Sequence, residues 1–192
     1  MLSNLRFALC AGLLAVGVAS CGPPESQNPL SDPAQAKPDA RLTGLWSGEV
    51  ENSPATLQFF PKQGPFLDVV LTGNDGEKGA SVLVFDAFPT LLNGKTYLNL
   101  RAKSFRGLYS ESFEIGAAYL FVRYDIAKDG SLTLLPMDDE PVKVAVAAGK
   151  LKGTVKENSV KLTASTKELA EYVRTADPER LFKKLATFRK LK

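Results

Sequence analysis

Apolar positions along the chain fall into three regimes. From Phe7 to Ala19 every residue is apolar or small, a run of 13. From Gly22 to Ala40 only Leu30 is bulky and aliphatic, and five of the 19 residues are proline. From Leu42 onward apolar and polar residues alternate in short runs. Leu57 and Phe59 flank Gln58, and Val142, Val144 and Val146 alternate with Lys143 and Ala145. Leu151, Gly153 and Val155 alternate with Lys152, Thr154 and Lys156; Val160, Leu162 and Ala164 alternate with Lys161, Thr163 and Ser165. A period of two puts every second side chain on one face, which predicts half-buried antiparallel strands. Two runs, Ser81–Phe85 and Ala117–Val122, are apolar on both faces and predict more deeply buried strands.

Turn signals separate these runs: Gly73-Asn74-Asp75-Gly76, Asn93-Gly94, Asp129-Gly130 and Glu157-Asn158-Ser159. Asn-Gly and Asp-Gly tolerate the positive φ that two-residue hairpin turns require, so those two pairs predict hairpins. Eight to ten short strands at this spacing indicate a mostly β domain, a small antiparallel β-barrel or barrel-like sandwich. Two C-terminal stretches read as helices. Ser165-Thr166-Lys167-Glu168 is a capping box, followed by a stripe of Leu169, Tyr172 and Val173 that ends near Thr175. Asp177-Pro178 is a second start, with Leu181, Phe182 and Leu185 as its apolar face. The stretch 104–113, with Phe105, Leu108, Tyr109 and Phe113, reads as a helical turn or lid.

The N-terminal run is too short to span a bilayer, which needs roughly 20 residues. Met1 to Arg6 carry one cation and no acid, and small residues close the run. These are the parts of a secretory signal. Val18-Ala19-Ser20-Cys21 then resembles the lipobox of bacterial lipoproteins, and the resemblance covers the first 21 residues only. It implies a signal peptide over 1–20, cleavage between Ser20 and Cys21, a diacylglycerol thioether on the Cys21 thiol and an acyl group on its new α-amine. One acyl chain binds a membrane marginally, whereas two already anchor stably. The residue after Cys21 is Gly22 in place of the Asp that often retains such proteins in the inner membrane, and for a Gram-negative source the resemblance then implies lipid anchoring to the outer membrane, facing the periplasm. Residues 21–40 then read as the lipidated Cys and a flexible, Pro-rich spacer too poor in apolar residues to fold. Residues 41–192 read as one globular domain.

Composition narrows the chemistry. The chain has no His, which removes the commonest general base, the Ser-His and Cys-His nucleophile pairs and imidazole metal sites. Its two cysteines are Cys10, which leaves with the signal, and Cys21, which the lipid consumes. No disulfide or thiolate metal site is therefore expected, and no cofactor. The net charge of +3 falls by one when Arg6 is removed. Such a balance lacks the strong basic face of a nucleic-acid binder.

Five features are candidates for a site. Gly44-Leu45-Trp46 near the first strand resembles the G-x-W signature of lipocalins, and a helix late in the chain fits that plan. The resemblance implies Trp46 packed across the closed end of a barrel and an apolar ligand cavity. Met137-Asp138-Asp139-Glu140, and likewise Asn74-Asp75-Gly76-Glu77, read as solvated turns; their oxygens also suit Ca²⁺, but without the spacing of a known loop. Arg180, Lys183, Lys184, Arg189, Lys190 and Lys192 read as the solvated face of a terminal helix, or as a patch for anionic head groups. Phe105, Tyr109, Phe113, Tyr119, Phe121 and Tyr124 read as core, or as a pocket lining. Trp46 is expected to be a core anchor. Two functions follow as expectations: a lipid-anchored envelope module that binds or holds a partner, and a lipocalin-like carrier of a small apolar ligand. Neither is an enzyme.

Overall fold

The computed structural model describes residues 22–74, 80–107, 110–113, 118–156 and 159–191. Eight strands form a closed antiparallel barrel: β2 (Gly44–Val50), β3 (Ser53–Pro61), β4 (Leu67–Asn74), β5 (Ala80–Leu92), β6 (Lys95–Gly107), β8 (Tyr119–Ile126), β9 (Leu132–Pro136) and β12 (Ala186–Lys190). They run up and down in chain order. Pairing of β6 with β8 and of β12 with both β9 and β2 closes the ring. Closure leaves none of these eight with a free edge along its whole length. β7 (Ser110–Phe113) is a short extra strand on β6. The stretch predicted as a helical turn or lid is thus extended, running through the end of β6 and β7. Leu108 and Tyr109 lie outside the described residues.

The predicted hairpins form where the turn chemistry allows them. Asn93 and Gly94, at φ 48° and 71°, join β5 to β6, and Gly130, at 81°, lies in the β8–β9 connection. Glu51 and Asn52 make a third tight turn, between β2 and β3, with φ of 51° and 66°. At Gly48 the barrel needs glycine for space, because a Cβ there would stand 2.6 Å from the Thr187 carbonyl oxygen on β12.

Between β9 and β12 the chain leaves the barrel to build a cover over the outer face of β6, β8 and β9. The cover holds α1 (Asp139–Ala147), a hairpin of β10 (Gly153–Lys156) and β11 (Ser159–Leu162), then α2 (Thr166–Thr175) and α3 (Pro178–Leu181). The capping box of α2 forms as predicted: Ser165 Oγ accepts from the Glu168 N–H, and Glu168 Oε2 accepts from the Ser165 N–H at 2.8 Å. Two expected elements differ. Val142 to Val146, read as a strand, is helix α1. Val142 and Ala145 are buried at helical spacing while Val144 is 68% exposed. Pro141 sits in the first turn, where a missing N–H costs nothing. The second helix stops at Leu181, and the basic tail becomes β12, with Ala186 and Phe188 facing inward.

Residues 22–40 are not a flexible spacer. They strap the barrel to its cover. β1 (Glu25–Ser26) pairs with β11 on one side and β8 on the other. Pro24, Ser26 and Leu30 are buried. The Leu30 N–H donates to Asn99 Oδ1 at 2.7 Å, and Asn28 Nδ2 donates to the Ala164 carbonyl at 2.9 Å. The folded unit therefore begins near Gly22, not Arg41. The strap has almost no apolar surface of its own, but a ready-made barrel face supplies the partner, and its prolines reduce the entropy lost on ordering.

Two apolar cores result, one on each side of the barrel wall. Inside lie Trp46, Leu57, Phe59, Phe85, Tyr124 and Phe188. Outside, under the cover, lie Leu30, Tyr97, Phe121, Val142, Leu169 and Phe182. The run at 117–122 is apolar on both faces for this reason: Leu120 points inward and Phe121 points into the cover.

Candidate functional site

Strand alternation sends one set of side chains into the barrel, and those side chains differ at its two ends. At one end the interior is filled. Trp46, 1% exposed, lies across it, and its indole N–H donates to the Leu42 carbonyl at 2.7 Å. Lys190 Nζ sits 5.2 Å from the centroid of the Trp46 ring and donates to the Arg41 carbonyl at 3.1 Å. The buried Tyr124 hydroxyl donates to Asp39 Oδ2 at 2.9 Å, and Asp39 pairs with Arg41 at 2.6 Å. The Arg41 hydrogen bond, against an opposing effect of burial, holds the Asp39 carboxyl below its usual range, with help from Tyr124. Burial, reinforced by the Asp39 charge, pushes the Tyr124 phenol up, so it stays a neutral donor. A Trp lid, a Lys over its face and a Tyr–Asp–Arg chain make this end a sealed, polar-capped plug.

Toward the other end an apolar cavity of about 130 Å³ remains. Its floor is aromatic and aliphatic: Leu57, Phe59, Val69, Phe85 and Leu98. Its upper wall is aliphatic: Val50, Leu71, Leu83, Leu100, Val122 and Leu185. These six stay only partly buried although they belong to the interior cluster, because none of the described residues fills the space before them. Among the described residues the polar side chains in the lining are Ser53 and Ser81, at the mouth end of their strands, while the Thr72 hydroxyl is on the outer face, bonded to that of Thr56. A void of about 150 Å³ lined by Leu, Ile and Phe stays dry and accepts benzene, since water needs two to four polar partners. The present cavity has a comparable volume and a similarly apolar lining. Pro23, at the start of the described chain, also lines it, beside Val122 and Pro136 on the β8–β9 side.

A second, shallower groove lies on the outer barrel face. Lys62, Asp86, Phe66, Phe88, Arg101 and Tyr119 line it. Asp68 and Asp86 are cross-strand neighbours of like charge, and Lys62 and Lys103 bridge both. Lys103 is the extra residue of the bulge opposite Val84 and Phe85. These charges satisfy one another.

The candidates from sequence are dispersed. Trp46 is at the sealed end, as the lipocalin resemblance implied. Ser20 and Cys21 lie outside the described residues, as do Asp75 to Glu77 and Lys192. The acidic run is the N-terminus of α1: Asp138 pairs with Lys183 at 2.5 Å and Asp139 with Lys143 at 2.6 Å. The aromatic residues of 119–124 separate three ways. Tyr124 is in the barrel, Phe121 is under the cover, and Tyr119 is in the outer groove, 6.3 Å from Phe88. The side chains of Phe105, Tyr109 and Phe113 lie outside the described residues. Sequence reasoning missed the cavity walls, the Asp39–Tyr124 pair and Asn99. Among the described residues no group of three or more His, Cys, Asp or Glu is placed to hold a metal ion, and no helix is long and apolar enough to cross a membrane. No protein-family model matches the chain, and neither a curated protein nor a solved structure matches it.

Proposed function

We propose that this chain is a lipid-anchored binding module of the bacterial envelope, whose barrel takes a small or slender apolar ligand into its unfilled end. The cavity between the Phe59–Phe85 floor and the Leu71–Leu83 wall carries this reading. Among the described residues nothing polar stands deep in it to orient a reacting group, so its chemistry is that of apolar burial at about 25 cal/mol per Å². The anchor rests on the Val18–Cys21 pattern, with lipid on Cys21 and the domain on the periplasmic side of the outer membrane. The reading as a structural or interaction module has less support. Apart from Phe60 and Phe66, which flank the β3–β4 turn, the large exposed apolar residues stand on different elements, Leu91 on β5, Val144 on α1, Val155 on β10 and Leu191 after β12, whereas a docking face would gather them into one patch.

The test is titration of the mature chain carrying Cys21→Ser with cis-parinaric acid, a fluorescent fatty acid. Saturable emission at one ligand per chain is expected. Leu83→Trp, which fills the cavity from its wall, is expected to weaken binding by about tenfold or more, or about 1.4 kcal/mol. Equal binding by a folded Leu83→Trp variant would place the dye elsewhere and remove the proposal.

A further inference from the structure

We infer that the groove on the outer barrel face is a second binding site, separate from the cavity, and that its ligand is a neutral saccharide. The groove encloses about 550 Å³, within the roughly 300–1,000 Å³ of small-molecule sites. Strand register builds its floor. Asp68, Asp86, Arg101 and Tyr119 stand opposite one another in turn on β4, β5, β6 and β8, so one row of side chains crosses the outer face. Two segments outside the sheet complete the lining. One is the β3–β4 turn, where the Lys62 N–H donates to the Phe66 carbonyl at 2.9 Å. The other is the strap, where Pro33 opens a short helical turn capped by Asp32.

Three rings meet in this groove. Phe88 follows Asp86 by two residues on β5 and so shares its face; it is buried. Phe66 and Tyr119 pack edge-on against it, with centroids 6.0 and 6.3 Å away. Both line the groove, Phe66 is 39% exposed and Tyr119 is half-buried, so each keeps ring surface for a ligand. A buried ring holds the two outer ones in place before any ligand arrives.

The polar groups beside these rings leave one donor and one acceptor unused. Lys62 Nζ donates to Asp86 Oδ1 at 2.8 Å and so fixes that carboxylate. Asp86 Oδ2 accepts no hydrogen bond from the described residues. Arg101 Nη2 stands 3.8 Å from it, within ion-pair range but too far for a hydrogen bond. The guanidinium lies 6.0 Å from the Tyr119 ring centroid and donates to none of the described residues. A ligand hydroxyl between the two satisfies both. It donates to the carboxylate at about 2.7 Å and accepts from the guanidinium at about 2.9 Å, lengths compatible with the gap between them.

This pairing selects among ligands. A carboxylate or phosphate also suits Arg101, but it would lie against Asp86 and be repelled. The cluster has one net positive charge, from Lys62, Lys103 and Arg101 against Asp68 and Asp86. That charge is spread over three side chains, whereas the Asp86 oxygen stands at the contact itself. A hydrocarbon would take water from both polar groups and return no bond. A saccharide carries hydroxyls that each donate and accept, on a ring whose C–H faces are apolar. It matches a donor and an acceptor set beside aromatic rings. Lys62 and Phe88 already hold the partners, so little ordering is lost on binding.

The test is amide NMR of the mature chain carrying Cys21→Ser, titrated with cellobiose, maltose and N,N′-diacetylchitobiose to the solubility of each. At least one sugar is expected to move the signals of Lys62 to Phe66, Asp86 to Phe88 and Arg101 saturably. Arg101→Leu is expected to weaken that binding about tenfold, the weight of a charge-assisted hydrogen bond. Phe66→Ser is expected to weaken it about fivefold through loss of an aromatic contact. Both side chains are exposed, and signals outside the groove report whether each variant is folded. Leu83→Trp in the barrel cavity is expected to leave sugar binding unchanged, so the two sites stand or fall separately. No saturable shift with any of these sugars would overturn the inference. So would shifts that persist at full affinity in folded Arg101→Leu, which would place the sugar elsewhere. Tighter binding of digalacturonate than of the neutral sugars would overturn the choice of a neutral ligand.

Discussion

The two ends of the barrel are built from the same eight strands yet hold different kinds of interior. At the plugged end the inward positions are Trp46, Tyr124, Leu132 and Phe188, all at most 1% exposed. At the mouth they are Val50, Ala55, Leu71, Gly73 and Leu83. Ring size accounts for the contrast. An eight-stranded barrel has an interior that side chains just fill. Large aromatic residues fill it and smaller aliphatic ones leave a void. The plugged end adds hydrogen bonds to each buried polar tip, the indole N–H on Leu42 and the phenol on Asp39. Packing is therefore densest at one end, and the other keeps the space that the proposed ligand would fill.

Breaking the plug should have the largest effect. Trp46→Ala should lower stability by about 3–5 kcal/mol, as expected for truncation of a buried aromatic. Chemical denaturation followed by far-UV circular dichroism measures it. A loss under 1 kcal/mol would mean that the two ends are energetically alike. The strap that brings Pro23 to the cavity should be the next most sensitive. Asn99 is fully buried, accepts from Leu30 and donates to Thr90 and to the Phe88 carbonyl. Asn99→Leu leaves those groups without their partner and should cost about 1–3 kcal/mol. Limited proteolysis should then cut within 22–31 in the variant and spare the parent.

Leu83→Ala probes the mouth. Packed leucines lose about 2–5 kcal/mol on truncation, but Leu83 already borders a void and is only partly buried. A loss of about 1 kcal/mol is expected, with tighter binding of bulkier apolar ligands; a loss as large as that of Trp46→Ala would show the mouth to be packed in solution. Of the two ends, acid should act on the plug. The Asp39 carboxyl is held below its unfolded value of 3.8, chiefly by Arg41. Its contribution is fully present above that pH and is lost as pH falls through the lower folded value. Trp46 emission at a fixed denaturant concentration should shift toward that of exposed indole below pH 3.8, and Asp39→Asn should flatten the shift. The smallest effect belongs to the mouth turn. Glu51 holds φ of 51°, which Asn adopts more readily. Glu51→Asn should raise the denaturation midpoint by a few tenths of a kcal/mol, on the scale of compatible turn substitutions of about 0.4–1 kcal/mol.

Local rules were legible wherever the chemistry was local. Asn93-Gly94 and Ser165–Glu168 each act through bonds and torsions within a few residues, and each formed as its sequence predicts. The alternation of Leu57 with Phe59 likewise marked an inward face. The misread segments are those where two periods fit or where the partner is distant. Val142 to Val146 suits either period, and the cap at Asp138 with Pro141 in the first turn was the signal that decides for helix. The tail from Lys183 reads as an amphipathic helix, but β9 and β2 offered two open edges, and Ala186 to Lys190 joined them.

The sequence by itself determined that the chain is β-rich, that its turns lie at fixed places, that α2 starts at Ser165 and that a His- and thiol-poor domain follows the Val18–Cys21 pattern. Tertiary structure alone decided that the ring closes through the last strand, that residues 22–40 are pinned against the barrel and that a void remains above Phe59 and Phe85. Alternation tells which face a side chain takes, but not its height along the barrel axis or what stands across from it. Those depend on register between strands far apart in the chain, and a cavity is the space left when all of them have been placed.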